Sequence, residues 1–153
     1  MGRMADIAER RFTEDGFACS QAVFSAFAEE AGLDLRTSLR IASSFGAGMA
    51  RMGNTCGAVT GALMVLGLRY GREEGGDTAA KERNYRLARE FMDRFRERFG
   101  DTVCRDLLGF DPGSEAGRRR FAEEPEVLER CAGYVRGAAE ILEDIIERES
   151  GSR

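Results

Sequence analysis

The sequence predicts an all-α protein: a single-domain bundle of about five to six helices around one central apolar helix. Three observations carry this expectation. Apolar residues recur at three- and four-residue intervals along most of the chain. Long alternations of Val, Ile and Thr, the mark of half-buried strands, are absent. With 153 residues, 42% of them hydrophobic, the chain is long and apolar enough to bury its own core as one domain, 1–153.

Met4, Ile7, Ala8 and Phe12 predict a short amphipathic opening helix. After the break at Asp15-Gly16, Cys19, Ala22, Val23, Ala26 and Phe27 mark one face of a second helix, which Gly32 ends. A third runs from about Thr37 to Phe45, with Leu39, Ala42 and Phe45 facing inward. A glycine-rich loop, FGAGMARMGNTCG, then spans Phe45 to Gly57. The fourth helix, Gly57 to about Tyr70, is apolar on every side, the pattern of a helix surrounded by others. Its Gly57 and Gly61, four apart, let a neighbouring backbone approach closely.

The polar loop RYGREEGGD leads to a long fifth helix, Thr78 to Phe99. Its Tyr85, Ala88, Met92, Phe95 and Phe99 form a seam for another helix or another subunit, so a homodimer through residues 78–99 is a candidate assembly. A short helical turn at Cys104–Leu108 and the Asp-Pro-Gly turn of FDPGSEAG follow. Pro125 suits the first turn of the last helix, whose stripe is Leu128, Cys131, Val135, Ala138, Leu142 and Ile145.

Composition narrows the chemistry. The net charge of -4 gives no drive toward nucleic acid or an anionic membrane. The chain contains no histidine, which excludes a Ser-His-Asp triad, a Cys-His dyad and any His-ligated metal. Arginine outnumbers lysine 22 to one, Lys81 standing alone, so Schiff-base chemistry has a single candidate. The opening residues carry no apolar run, and the charge-free part of the most apolar stretch, Met52 to Leu68, is too short for a bilayer. A soluble, cytoplasmic protein without membrane insertion is expected.

Chemistry is therefore left mainly to Cys, Asp, Glu, Arg, Tyr or the backbone, and the first candidates are Cys19, Cys56, Cys104 and Cys131. They stand singly, 37, 48 and 27 residues apart, without a CxxC, so the usual sequence signal of a zinc or iron–sulfur site is missing. Cys19, Cys56 and Cys104 each fall at a predicted helix start, where free N–H groups and the dipole favour a thiolate. Cys131 lies inside the last helix on the core stripe, where a free cysteine packs as a small hydrophobe.

The stretch CGAVTGALMVLGL, with one cysteine 37 residues before its own and two after, resembles the C-GCAxxG-C-C family. In that family four characteristic cysteines and a CGAxxG motif are read as redox machinery. The motif here is Cys56 to Gly61, the other positions correspond to Cys19, Cys104 and Cys131, and the similarity extends from about Phe17 to Ile146. A related module accompanies a haem-containing cytochrome in some members. With no CxxCH and no histidine, covalent haem does not carry over.

Gly46, Gly48, Gly53 and Gly57, with Arg51, are the candidate ligand-binding residues around this motif. The glycines permit several N–H groups to face one space, as a cradle for an anion, a thiolate or a cluster's sulfurs, or else simply make a tight connection. The loop lacks the Lys-Ser/Thr of a phosphate-binding P-loop and follows no strand. Arg51, alone in an apolar neighbourhood, is placed to stabilise a thiolate, hold an anionic substrate or cap carbonyls. Arg118-Arg119-Arg120 reads as solvated surface.

Three functions stay open. One is thiol–disulfide exchange, with Cys56 attacking, Cys19 resolving, Cys104 and Cys131 as a second pair or relay, and a redox partner protein. Another is a four-thiolate iron–sulfur or zinc site. The last is a non-enzymatic helical accessory module whose cysteines only pack.

Overall fold

A computed structural model describes residues 2–151. The helices are α1 (Arg3–Thr13), α2 (Cys19–Glu30), α3 (Leu35–Ile41), α4 (Gly57–Tyr70), α5 (Thr78–Phe99), α6 (Cys104–Leu108), α7 (Glu115–Glu123) and α8 (Pro125–Gly151), with a 3-10 turn at Ser43–Phe45. The protein is all-α, and among the described residues the one β-type pairing is an isolated antiparallel bridge between Thr55 and Val103. There are eight α-helices among the described residues, more than the five to six expected.

The helix that periodicity misses is α7. It carries no apolar stripe: among its nine residues only Gly117 is buried. Its signals are local instead. The Ser114 hydroxyl accepts the Gly117 N–H at 2.9 Å as an N-cap, Glu115 sits in the first turn, and Arg119 pairs with Glu115 four residues back. Helix α3 starts two residues earlier than expected, because Asp34 caps it by accepting the Thr37 N–H at 2.9 Å. It also stops at Ile41, leaving Ser43–Phe45 as a tighter 3-10 turn.

The central helix α4 matches its predicted bounds. Its side chains from Gly57 to Ala62, with Val65 and Leu66, are buried against α2, α5 and α8. Burying a Val or Leu side chain stabilises by about 1.5–3 kcal/mol, so Val59, Val65 and Leu66 alone anchor this layer. Helix α2 lies closest. A Cβ on Gly61 would come within 2.8 Å of the Ser20 carbonyl oxygen, and one on Gly57 within 3.0 Å of the Ser20 nitrogen. The two glycines are the contact through which the α2 and α4 backbones meet.

Helix α8 closes the bundle. It packs along α1, whose N-terminal Gly2 and Met4 N–H groups are accepted by Glu143 Oε2 at 2.8 and 3.3 Å. On α5 the side chains facing the core are Leu87, Phe91 and Phe95, joined by half-buried Ala88, Met92 and Phe99. Most of the expected seam thus packs on the chain's own core, and the Phe99 ring lies where a Cβ on Gly137 would stand. Tyr85 is exposed instead, as is Leu128 of the α8 stripe. Among the described residues no helix is long and apolar enough to cross a membrane.

Candidate functional site

Four helices each deliver one cysteine to the wall of a single cavity of about 780 Å³. Cys19 is the first residue of α2, Cys56 immediately precedes α4, Cys104 opens α6, and Cys131 lies in the second turn of α8. Cys56, Cys104 and Cys131 are buried, and Cys19 is half-buried.

Local chemistry explains each placement. The start of α2 is pinned by the buried Ser20 hydroxyl, which donates to the Ala42 carbonyl at 2.8 Å, and by the Gln21 amide, which donates to the Leu39 carbonyl at 3.0 Å. The close approach at Gly57 sets the α2 and α4 starts side by side, with a Cβ there only 3.2 Å from the Cys19 Cβ. Cys56 and Cys104 are joined through backbone. The Cys56 N–H donates to the Thr102 carbonyl at 2.8 Å and the Cys104 N–H to the Asn54 carbonyl at 2.6 Å, flanking the Thr55–Val103 bridge. Asp101 orients this segment by accepting the Thr102 and Val103 N–H groups at 2.7 and 2.9 Å. Helix α6 is too short to hold itself. Two of its terminal carbonyls, Leu107 and Leu108, accept from the Tyr134 hydroxyl at 3.2 Å and the Arg130 guanidinium at 3.1 Å, fastening Cys104's helix to Cys131's.

The glycine-rich loop winds left-handed. Ala47, Gly48, Met49, Ala50 and Arg51 all have φ between 51° and 72°. Four of these are not glycine, and each such residue costs about 1–2 kcal/mol in this conformation. Gly48 is required twice over: its φ is +72°, and a Cβ there would stand 2.8 Å from the Cys104 Cβ and 2.5 Å from the Asn54 nitrogen. Gly46 and Gly57 line the cavity with Arg51, whereas Gly48 and Gly53 are buried behind it, Gly53 against Arg105 and Pro112. The glycines therefore serve close packing around Cys19, Cys104 and their approaches.

The thiols differ electrostatically. Burial pushes Cys56 up to about 11, although the Ala58 and Val59 N–H groups of α4 pull the other way. The helix start expected to activate Cys56 is thus outweighed by desolvation. Cys104 rises to about 12, through burial first and then the negative charges of Cys56 and Cys131, with Arg105 opposing. Cys19 packs against the small cluster that holds Cys104 and Cys131. The neighbouring Cys19 thiol, with help from Arg130, holds Cys131 below an ordinary thiol, while Cys131 and burial raise Cys19 well above one. Cys131, which the sequence placed among packing groups, thus stands on the cavity wall with the other three thiols.

All four sulfurs share one site, yet among the described residues no three Cys, Asp or Glu groups stand at the spacing that holds a metal ion. The donor set as arranged does not fit iron or zinc; the sulfurs would have to draw together first. The sequence reading also missed Arg118, which lines the cavity while Arg119 and Arg120 pair with Glu115 and Glu124. Only its place in an unrecognised capped helix could have signalled this.

The family model described as "Putative redox-active protein (C_GCAxxG_C_C)" matches residues 17–145. No curated protein matches the chain, and no solved structure does.

Proposed function

The chain belongs to the C_GCAxxG_C_C family, and on that premise we propose that it is a dithiol–disulfide oxidoreductase, one four-cysteine domain whose working pair is Cys131 and Cys19. The observation that supports this reading is the packing of half-buried Cys19 beside buried Cys131 on the wall of one cavity, with one thiol lowered and its partner raised. The thiolate is the nucleophile in exchange, and a lowered thiol is also the better leaving group.

The Cys131 thiolate attacks one sulfur of a substrate disulfide RS–SR, forming a Cys131–S–SR mixed disulfide and expelling RS⁻, which takes up a proton. The Cys19 thiol gives up its proton and attacks the Cys131 sulfur, forming the Cys19–Cys131 disulfide and releasing the second RSH. Two electrons leave the protein and one disulfide becomes two thiols. A reducing partner, a dithiol protein of the cytoplasm, attacks Cys19, the half-buried sulfur, and displaces Cys131 as its thiolate; the partner's second thiol then attacks its own sulfur in that mixed disulfide, releases Cys19 as a thiol and leaves the partner oxidised. Cys56 and Cys104, high and joined through the 55–103 bridge, form a second pair held in reserve. A homodimer through 78–99 would have to use the polar outer face around Tyr85.

Single serine substitutions test the roles. Cys131→Ser is expected to lose turnover and the mixed disulfide together. Cys19→Ser is expected to accumulate a mixed disulfide, visible by intact mass as the chain plus one RS group on Cys131. Accumulation on Cys56 in place of Cys131, or full turnover by Cys131→Ser, would overturn the assignment.

The presence of four sulfurs on one cavity wall keeps open a second reading, a four-thiolate iron–sulfur or zinc site, which would require the sulfurs to draw together first. Metal analysis after anaerobic purification separates them. About one equivalent of bound metal or cluster that shields all four thiols from alkylation supports the metal site, and four freely alkylated thiols support exchange.

A further inference from the structure

The cavity's lining is charged in one sense only. Among the described residues it holds two arginines, Arg51 and Arg118, and no carboxylate. The chain as a whole carries 27 acidic residues against 23 basic ones, so this bias is local. The two arginines belong together. The Arg51 carbonyl oxygen stands where a Cβ on Gly113 would come within 2.5 Å, and the Gly113 carbonyl accepts Arg118 Nε at 3.3 Å. Among the described residues neither forms an ion pair, whereas the adjacent Arg119 and Arg120 both do. Arg51 is moreover carried on the left-handed turn, at φ 68°, a conformation that costs free energy and persists only because the surroundings enforce it.

The shape adds a second constraint. A volume of about 780 Å³ is that of a small-molecule site. Cys131 is only 6% exposed, so its sulfur is met from within the cavity and not on an open surface. A free low-molecular-weight disulfide fits whole in such a volume. An anionic nucleophile repels an anionic substrate unless cations offset it, and guanidinium groups pair with carboxylates in a two-pronged fork.

We propose that the cavity selects small disulfides bearing carboxylates, with Arg51 and Arg118 holding the carboxylates while a disulfide sulfur reaches Cys131. The proposal rests on the exchange reading and names its substrate class; the electron balance is the one given above.

The test compares three aliphatic disulfides of similar length against the reduced protein: 3,3′-dithiodipropionate (dianionic), bis(2-hydroxyethyl) disulfide (neutral) and cystamine (dicationic). Each rate is normalised to that of free dithiothreitol with the same compound. The dianion is expected to exceed the neutral compound about tenfold, equivalent to about 1.4 kcal/mol, and this ratio is expected to shrink with salt. In Arg51→Gln/Arg118→Gln the ratio collapses, and in the corresponding lysine pair most of it survives. Both side chains are exposed, so the variants should keep the wild-type helical spectrum. Equal normalised rates, a ratio untouched by the glutamine pair, or faster reduction of a protein disulfide such as insulin would overturn the substrate assignment and leave exchange standing. If none of the three compounds is reduced, exchange itself fails. Calorimetric binding of 3,3′-dithiodipropionate to Cys19→Ser/Cys131→Ser then decides the cavity alone: binding lost with both arginines supports the anion site, and no binding overturns it.

Discussion

At the scale of single residues, the contest at each thiol is between a helix start and burial. At Cys56 burial wins, and at Cys131, which has no helix start, the neighbouring Cys19 thiol and Arg130 win instead. Alkylation by iodoacetamide at pH 7 is therefore expected to show one fast thiol among four, lost in Cys131→Ser and with a midpoint below that of an ordinary thiol. A fast phase that survives in Cys131→Ser would refute this. That the four cysteines belong together was readable from the sequence through the CGAxxG motif, and the structure sets all four on the wall of one cavity. How they differ electrostatically was not readable, because Cys19 and Cys131, far apart in the chain, meet only in the fold and leave no local trace.

At the scale of elements, the sequence was read well wherever one helix buries a continuous stripe, as α4 does from Gly57 to Tyr70. It was read poorly where caps and loops carry the information, as in α7 and the left-handed turn. Two substitutions probe that turn. Ala50 is exposed at φ 51°, so Ala50→Gly removes a left-handed penalty of about 1–2 kcal/mol at an entropic cost of about 0.5–1 kcal/mol. A gain of about 0.5–1 kcal/mol is expected, a rise of about 1–4 °C in Tm for a chain of this size; a lower Tm would show that the turn is not strained. Gly48→Ala does the reverse. It forces a Cβ against Cys104 and the Asn54 amide, and a loss of more than about 3 kcal/mol is expected in urea unfolding.

For the whole molecule, the thiols set a pH dependence whose sign follows from their directions. Cys56 and Cys104 are raised in the folded state, so their contribution is complete below the unfolded value of about 8.5 and is lost as pH climbs through about 11 and about 12. Cys131 is lowered, so its contribution is present above the unfolded value and fades as pH falls through its folded one. Reduced protein should thus be most stable in mildly alkaline solution. Between pH 8 and pH 10.5, Cys56 alone should remove about 2–3 kcal/mol, and Cys56→Ala should flatten that decline; an unchanged slope would argue that the Cys56 thiol is not desolvated. The bundle and its central helix followed from periodicity, but the meeting of four helices at one cavity followed from Gly57, Gly61 and the 55–103 bridge, which act over long separations.

That α8 both fastens α6 and closes against α1 also sets a timetable for synthesis. Cys19, Cys56 and Cys104 leave the ribosome before the helix that completes their cavity. With translation at about 5–20 residues per second, the nascent chain carries three unsheltered thiols for seconds. The cell's reductants must guard them through that interval, before the finished protein does any redox work of its own.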